Sequence, residues 1–113
     1  MEMEVIADNS GMNLVRNMGF QMKILAGALK FDNSYPSGGY EVDASGYFPK
    51  GFVFMMFNPV SAGYTFEFIP ANNVGDPGKV KVYECGGAGE PMKEVDDNAD
   101  LSSVGAVFLG FGY

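Results

Sequence analysis

Asp96, Asn98 and Asp100 stand two residues apart, the D-x-N-x-D opening of a calcium loop in which alternate oxygens converge on one hard cation. Leu101 occupies the sixth position, where the sharp turn of such a loop needs Gly, and no Glu closes it at the twelfth. The segment therefore reads as a solvated acidic loop. Glu41 with Asp43, and Glu67 with Glu84, are the acid pairs on which glycoside hydrolysis would have to run. Two acids among fourteen can always be paired on paper, and nothing in the surrounding residues singles these out. Cys85 is the one cysteine, and the chain has no His to take its proton. In Glu84-Cys85-Gly86-Gly87 it reads as a small half-buried residue at a strand end. These residues predict a protein that is not an enzyme and needs no metal or cofactor.

What must be positioned is instead a set of short apolar runs parted by Gly, Pro and Asn. The chain has 113 residues, enough for one domain that buries roughly two-thirds of its unfolded surface. It is 47% hydrophobic and 19% charged, a globular balance, and its 16 Gly and 6 Pro suit a fold with many turns. Fourteen acids against seven bases give a net charge of −7, which argues against nucleic acid or an anionic membrane as partner. A single Cys can form no internal disulfide, no run approaches the ~20 apolar residues of a membrane span, and the acidic start is unlike a secretory leader. The expectation is a protein made in the cytoplasm and not exported.

Along the chain, residues 1–18 read as an N-terminal arm, with Val5-Ile6-Ala7 as a short strand and residues 8–11 as a turn. From Phe20 to Phe31 alternation predicts a long strand, imperfect after Leu25, as in a strand covered on both faces or bent at Gly27; a helix over Met22–Lys30 is the competing reading, since Met, Leu and Ala favour it. Residues 32–40 form a loop in which Pro36 presets the second position of a turn and Gly38-Gly39 supply positive φ. Residues 52–57 are apolar throughout, as in a central strand buried on both faces. Tyr64, Phe66 and Phe68 alternate with Thr65 and Glu67, and a loop over 72–78 returns the chain through residues 79–83. A polar excursion over 85–103 precedes a last strand at 104–111. The prediction is an all-β fold, a small antiparallel β-sandwich or barrel of about five to eight strands over residues 19–113.

Four segments in order are Leu29-Lys30-Phe31-Asp32-Asn33-Ser34-Tyr35-Pro36-Ser37-Gly38-Gly39, then Ala62-Gly63-Tyr64-Thr65-Phe66-Glu67-Phe68, Lys79-Val80-Lys81-Val82-Tyr83, and Asp100-Leu101-Ser102-Ser103 before the last strand. Together they resemble the capsid decoration, or head cement, proteins of tailed bacteriophages. The resemblance covers about residues 19–113 and departs at the arm, at 85–97 and at the Met-rich run 52–57. It implies a non-catalytic viral structural protein on the outer face of a phage head in the virion, made in the host cytoplasm. The implied partner is the major capsid protein, at joints between its subunits. Self-association is expected with it, a homotrimer preferred because lattice three-fold positions suit three identical contacts, and a dimer as the other option.

Candidate interface residues come from the loops and the arm. Tyr35, Tyr40, Tyr47 and Phe48 lie in loops, and aromatic side chains are the common anchors of interfaces; as structural residues they would cap the end of the sandwich. Met12, Met18 and Met22, around Arg16, offer an adaptable apolar surface or ordinary core filling. Glu2, Glu4, Val5 and Ile6 could add an edge strand to a neighbouring subunit. The alternatives to a cement protein are a carbohydrate-binding or host-recognition sandwich, which the lack of Trp disfavours, and a phage tail accessory protein.

Overall fold

The computed structural model describes residues 1–8, 23–44, 46–48, 50–58, 63–71, 73, 76–85 and 88–113. Among these, eight strands and no helix occur: β1 (Glu2–Asp8), β2 (Lys23–Lys30), β3 (Tyr40–Val42), β4 (Phe52–Phe57), β5 (Tyr64–Ile69), β6 (Gly78–Glu84), β7 (Lys93–Glu94) and β8 (Gly105–Gly112). One antiparallel sheet has the order β1-β2-β8-β4; the other has β3-β6-β5, with β7 joining β6. The protein is an all-β sandwich, as its alternating runs require.

The core lies between the sheets. Leu25, Leu29, Met55, Ala106 and Phe108 of the first sheet and Tyr40, Val42, Val80 and Val82 of the second are all buried. Tyr64, Phe66 and Phe68 pack on this core from alternate positions of β5, as period-two patterning predicts. Ring pairs tie the layers together: Phe31 stacks at 5.5 Å on Phe66, and Phe52 meets Phe68 edge-on at 4.9 Å.

Five expectations change. Residues 2–8 are not a separate arm: β1 pairs with β2 from Glu2↔Lys30 to Asp8↔Leu25, and Met1, Met3 and Val5 pack on the core. Residues 9–18, with their candidate turn, lie outside the described residues. Gly27 does not mark a bend. It sits opposite Phe108 in the β2–β8 ladder, and a Cβ there would lie 2.9 Å from the Phe108 ring and against the Glu4 carbonyl. The missing side chain is the space the aromatic ring fills.

β4 is not a central strand but one end of the sheet, and Val53, Phe54 and Met56 are half-exposed. Its unbroken apolar run reflects an outer face that is itself apolar. The excursion over 85–103 is part of the fold: it holds β7, and Val95 and Leu101 are buried. In the 32–40 loop Gly38 and Gly39 have φ of 95° and 107°, and Gly39 N–H donates to the Pro36 carbonyl. Pro36 thus stands at the first position of the turn and not the second, so the turn begins one residue later than expected.

Candidate interaction surface

The loop aromatics sort against expectation. Tyr35, Tyr40 and Phe48 are buried, at 0%, 5% and 3% exposure, and are corrected from interface anchors to core side chains; Tyr47 keeps 38%. Phe48 stacks on Phe52 at 5.1 Å, over the bare Cα of Gly112, and the two tyrosines are held by hydrogen bonds. Tyr35 lays its ring edge-on to Tyr40 at 5.4 Å, and its hydroxyl oxygen accepts the Val82 N–H at 3.3 Å. Tyr40 donates its hydroxyl to Asp32 Oδ1 at 2.8 Å, which also accepts the Ser34 N–H at 3.0 Å. Those contacts hold the Asp32 carboxyl below its ordinary range, the Ser34 amide first and the Tyr40 hydroxyl second. Burial, then the bond to Asp32, pushes the Tyr40 phenol up, and burial does the same to Tyr35.

The same loop is clasped to residues 94–101. Asn98 N–H donates to the Tyr35 carbonyl at 2.7 Å, Tyr35 N–H to Ala99 at 3.0 Å, and Leu101 N–H to Asp32 at 2.9 Å. Ser37 N–H reaches Asp97 Oδ1 and Gly38 N–H reaches Glu94 Oε1, each at 3.0 Å. Two of the three residues of the calcium-like spacing, Asn98 and Asp100, are engaged by nearby hydroxyl and amide groups. Asp100 Oδ1 accepts the Ser102 hydroxyl and N–H, which lower its pKa, and Asn98 Oδ1 accepts the Ser34 hydroxyl. No group of three His, Cys, Asp or Glu able to share a metal ion occurs among the described residues. Glu67 stands opposite Lys81 in the β5–β6 ladder, and Glu84 pairs with Lys93 at 3.4 Å. Cys85 is exposed rather than half-buried, because β6 ends at Glu84.

On the N-terminal strand Glu2 and Glu4 are exposed, Val5 is half-buried, and Ile6 is 67% exposed where the register shifts between Val5 and Ala7. This strand pairs within its own chain, so it is not free to join a neighbour's sheet along its β2 side. Met12, Arg16, Met18 and Met22 lie outside the described residues.

The feature that the sequence reading missed is the outer face of the four-stranded sheet. In β8, Ala106, Phe108 and Gly110 point inward, which leaves Val107 at 58% and Leu109 at 42% exposure, with Phe111 half-buried. The ladders carry this face sideways. Leu109 lies opposite Ala26 on β2 and Met56 on β4; Phe111 lies opposite Ile24 and Phe54; Val107 lies opposite Ala28. Phe54 and Met56 are each 50% exposed, and the Phe54 and Phe111 rings stack at 6.4 Å. Among the described side chains, charge on this face lies toward one end, where Glu2 stands opposite Lys30 and Lys30 meets Glu4 at 3.6 Å, an exposed pair of small energetic weight. Soluble chains rarely leave a contiguous apolar patch of this kind unless something docks on it.

Beside this face runs an open groove of about 400 Å³, lined by Phe54–Asn58 of β4 and its end and by Phe66–Phe68 of β5. Backbone polarity follows from the ladder. Asn58 N–H donates to the Val107 carbonyl at 3.1 Å, so alternation points Met56 and Phe54 at β8 and the N–H and C=O of Met55 and Phe57 into the groove. On β6, Val82 accepts from Val95 and donates to Tyr35, away from β5. The same alternation turns the backbone of Phe66 and Phe68 toward the groove from its other side.

No protein-family model, curated protein or solved structure matches the chain.

Proposed function

We propose that this protein is a non-catalytic binding module that docks by the outer face of its four-stranded sheet, and that the surface it covers is the head lattice of a tailed bacteriophage, at joints between major capsid protein subunits. The observation that carries the docking is the exposed apolar set Phe54, Met56, Val107 and Leu109 on one face of the sheet. The order of the four sequence segments supports the decoration role, and the loops of the first and last are hydrogen-bonded into one clasp, which suits a bridging part.

Magnitudes agree with a lattice role. Four strands about 4.8 Å apart and some six residues long present a footprint of roughly 400 Å², about half of one side of a standard interface. At ~25 cal/mol per Å² that is roughly 10 kcal/mol of gross burial, against an association cost of about 4–15 kcal/mol. One face on one partner is marginal, and many identical joints held together make it useful. Co-sedimentation with phage heads stripped of their accessory proteins tests the reading: saturable pelleting at a fixed ratio to coat subunits supports it, and a folded protein left in the supernatant refutes it.

A further inference from the structure

We infer that β4 is a self-pairing edge, on which a second copy of this chain adds its own β4 antiparallel to form one continuous eight-stranded sheet. The inference concerns the free protein and does not depend on the phage reading.

The strands that end the two sheets differ in how they discourage pairing. β1 carries exposed Glu2 and Glu4 and a register shift at Val5/Ala7, β5 carries exposed Glu67, and β3 is three residues long with exposed Glu41. Charges, bulges and short length are the usual guards of an edge. β4, Phe52-Val53-Phe54-Met55-Met56-Phe57, has no charged residue and no Gly or Pro, and its register shift falls at its first residues, between Phe52 and Phe54. In a chain of net charge −7, this edge is also where an identical chain can approach without setting acid against acid.

Register follows from the ladder. Met55 directs its N–H and C=O away from β8, so a two-fold axis through Met55 lets the two copies of that residue exchange both hydrogen bonds. Phe54 of each copy then lies opposite Met56 of the other, a non-hydrogen-bonded pair whose side chains stand on the outer face. Two Phe–Met contacts result, and sulfur against an aromatic ring is favourable. The axis is perpendicular to the sheet, so both apolar outer faces point the same way. Together they reach roughly 800 Å², the size of one side of a standard interface. Self-pairing of one strand is two-fold, so the assembly is a dimer in place of the three-fold arrangement expected from lattice geometry.

Light scattering of the purified chain without heads tests this, with cross-linking to fix the register. The expected result is twice the chain mass for the wild type and the single-chain mass for folded Phe54→Lys/Met56→Lys, which sets four ammonium groups across the pair. In a Cys85→Ser background, Phe54→Cys with Met56→Cys should form interchain disulfides between positions 54 and 56, since Cα atoms of a non-hydrogen-bonded pair lie about 4.5 Å apart. The single Met56→Cys chain should not. A wild-type monomer at micromolar concentration overturns the inference. So does a dimer in which positions 54 and 56 fail to link, which remains readable if the lysine variant does not fold.

Discussion

Phe54 of β4 and Phe111 of β8 stack at 6.4 Å between ring centroids on the outside of the sheet, where Phe54 stays half in solvent. Aromatic surface of this size, kept ordered by a neighbouring ring and left uncovered, is costly in water unless a partner removes it. The account of this protein as a binding module rests on that face.

The Asp32–Tyr40 bond couples the stability of the fold to pH at both ends of the range. Asp32 has its folded pKa lowered, so its contribution is present above the unfolded value near 4 and is lost as pH falls through the folded one. Tyr40 has its folded pKa raised, so its contribution is full below about 10 and is lost as pH climbs toward the folded value. Thermal melts of the wild type should fall at both ends. Tyr40→Phe should lower the midpoint at neutral pH and flatten the fall above about pH 10; an alkaline limb identical to the wild type would contradict the assignment.

Gly27→Ala is expected to be among the costliest single methyl additions. The new Cβ would meet the Phe108 ring at 2.9 Å and the Glu4 carbonyl, and neither can withdraw without parting β1 from β2 or β8 from the core. Overpacking of this kind costs about 1–3 kcal/mol or more. Urea denaturation should show it as a lower midpoint at unchanged slope. Stability within a few tenths of the wild type would mean that the strands are looser than described.

Removal of residues 1–8 should destabilise the free protein. β1 closes one end of the sheet and packs Met1, Met3 and Val5 on the core, so the loss should amount to about 2–4 kcal/mol of burial. A melting temperature that does not change would return this segment to the status of an independent arm.

Much of the fold was legible from alternation. Residues 64–69 become β5 with the expected ends, the unbroken apolar run 52–57 becomes β4, and the return strand expected over 79–83 is β6. The positive φ of Gly38 and Gly39 followed from residue type alone. The docking face was not legible, for a physical reason: in β8 both alternating sets are apolar, and period-two patterning cannot tell which set meets the core. Gly27 and Gly112 decide it, because glycines on the inward side make room for the Phe108 and Phe48 rings, and that is visible only once strands are paired. Tyr35 and Tyr40 misled in the other direction. They lie in a loop by sequence, but the clasp to residues 94–101 buries them, and a contact about 60 residues away in the chain leaves no local sign.

The most direct test is a binding isotherm on stripped phage heads for the wild type beside Val107→Lys/Leu109→Lys. Both side chains are about half in solvent, so the variant should stay within about 1 kcal/mol of the wild type in stability. The account predicts saturable binding by the wild type at a fixed ratio to coat subunits and at least a tenfold loss for the variant, as roughly 1.4 kcal/mol or more of face burial is removed. Equal binding by both chains would contradict docking through this face. Binding by neither would contradict the head lattice as the partner.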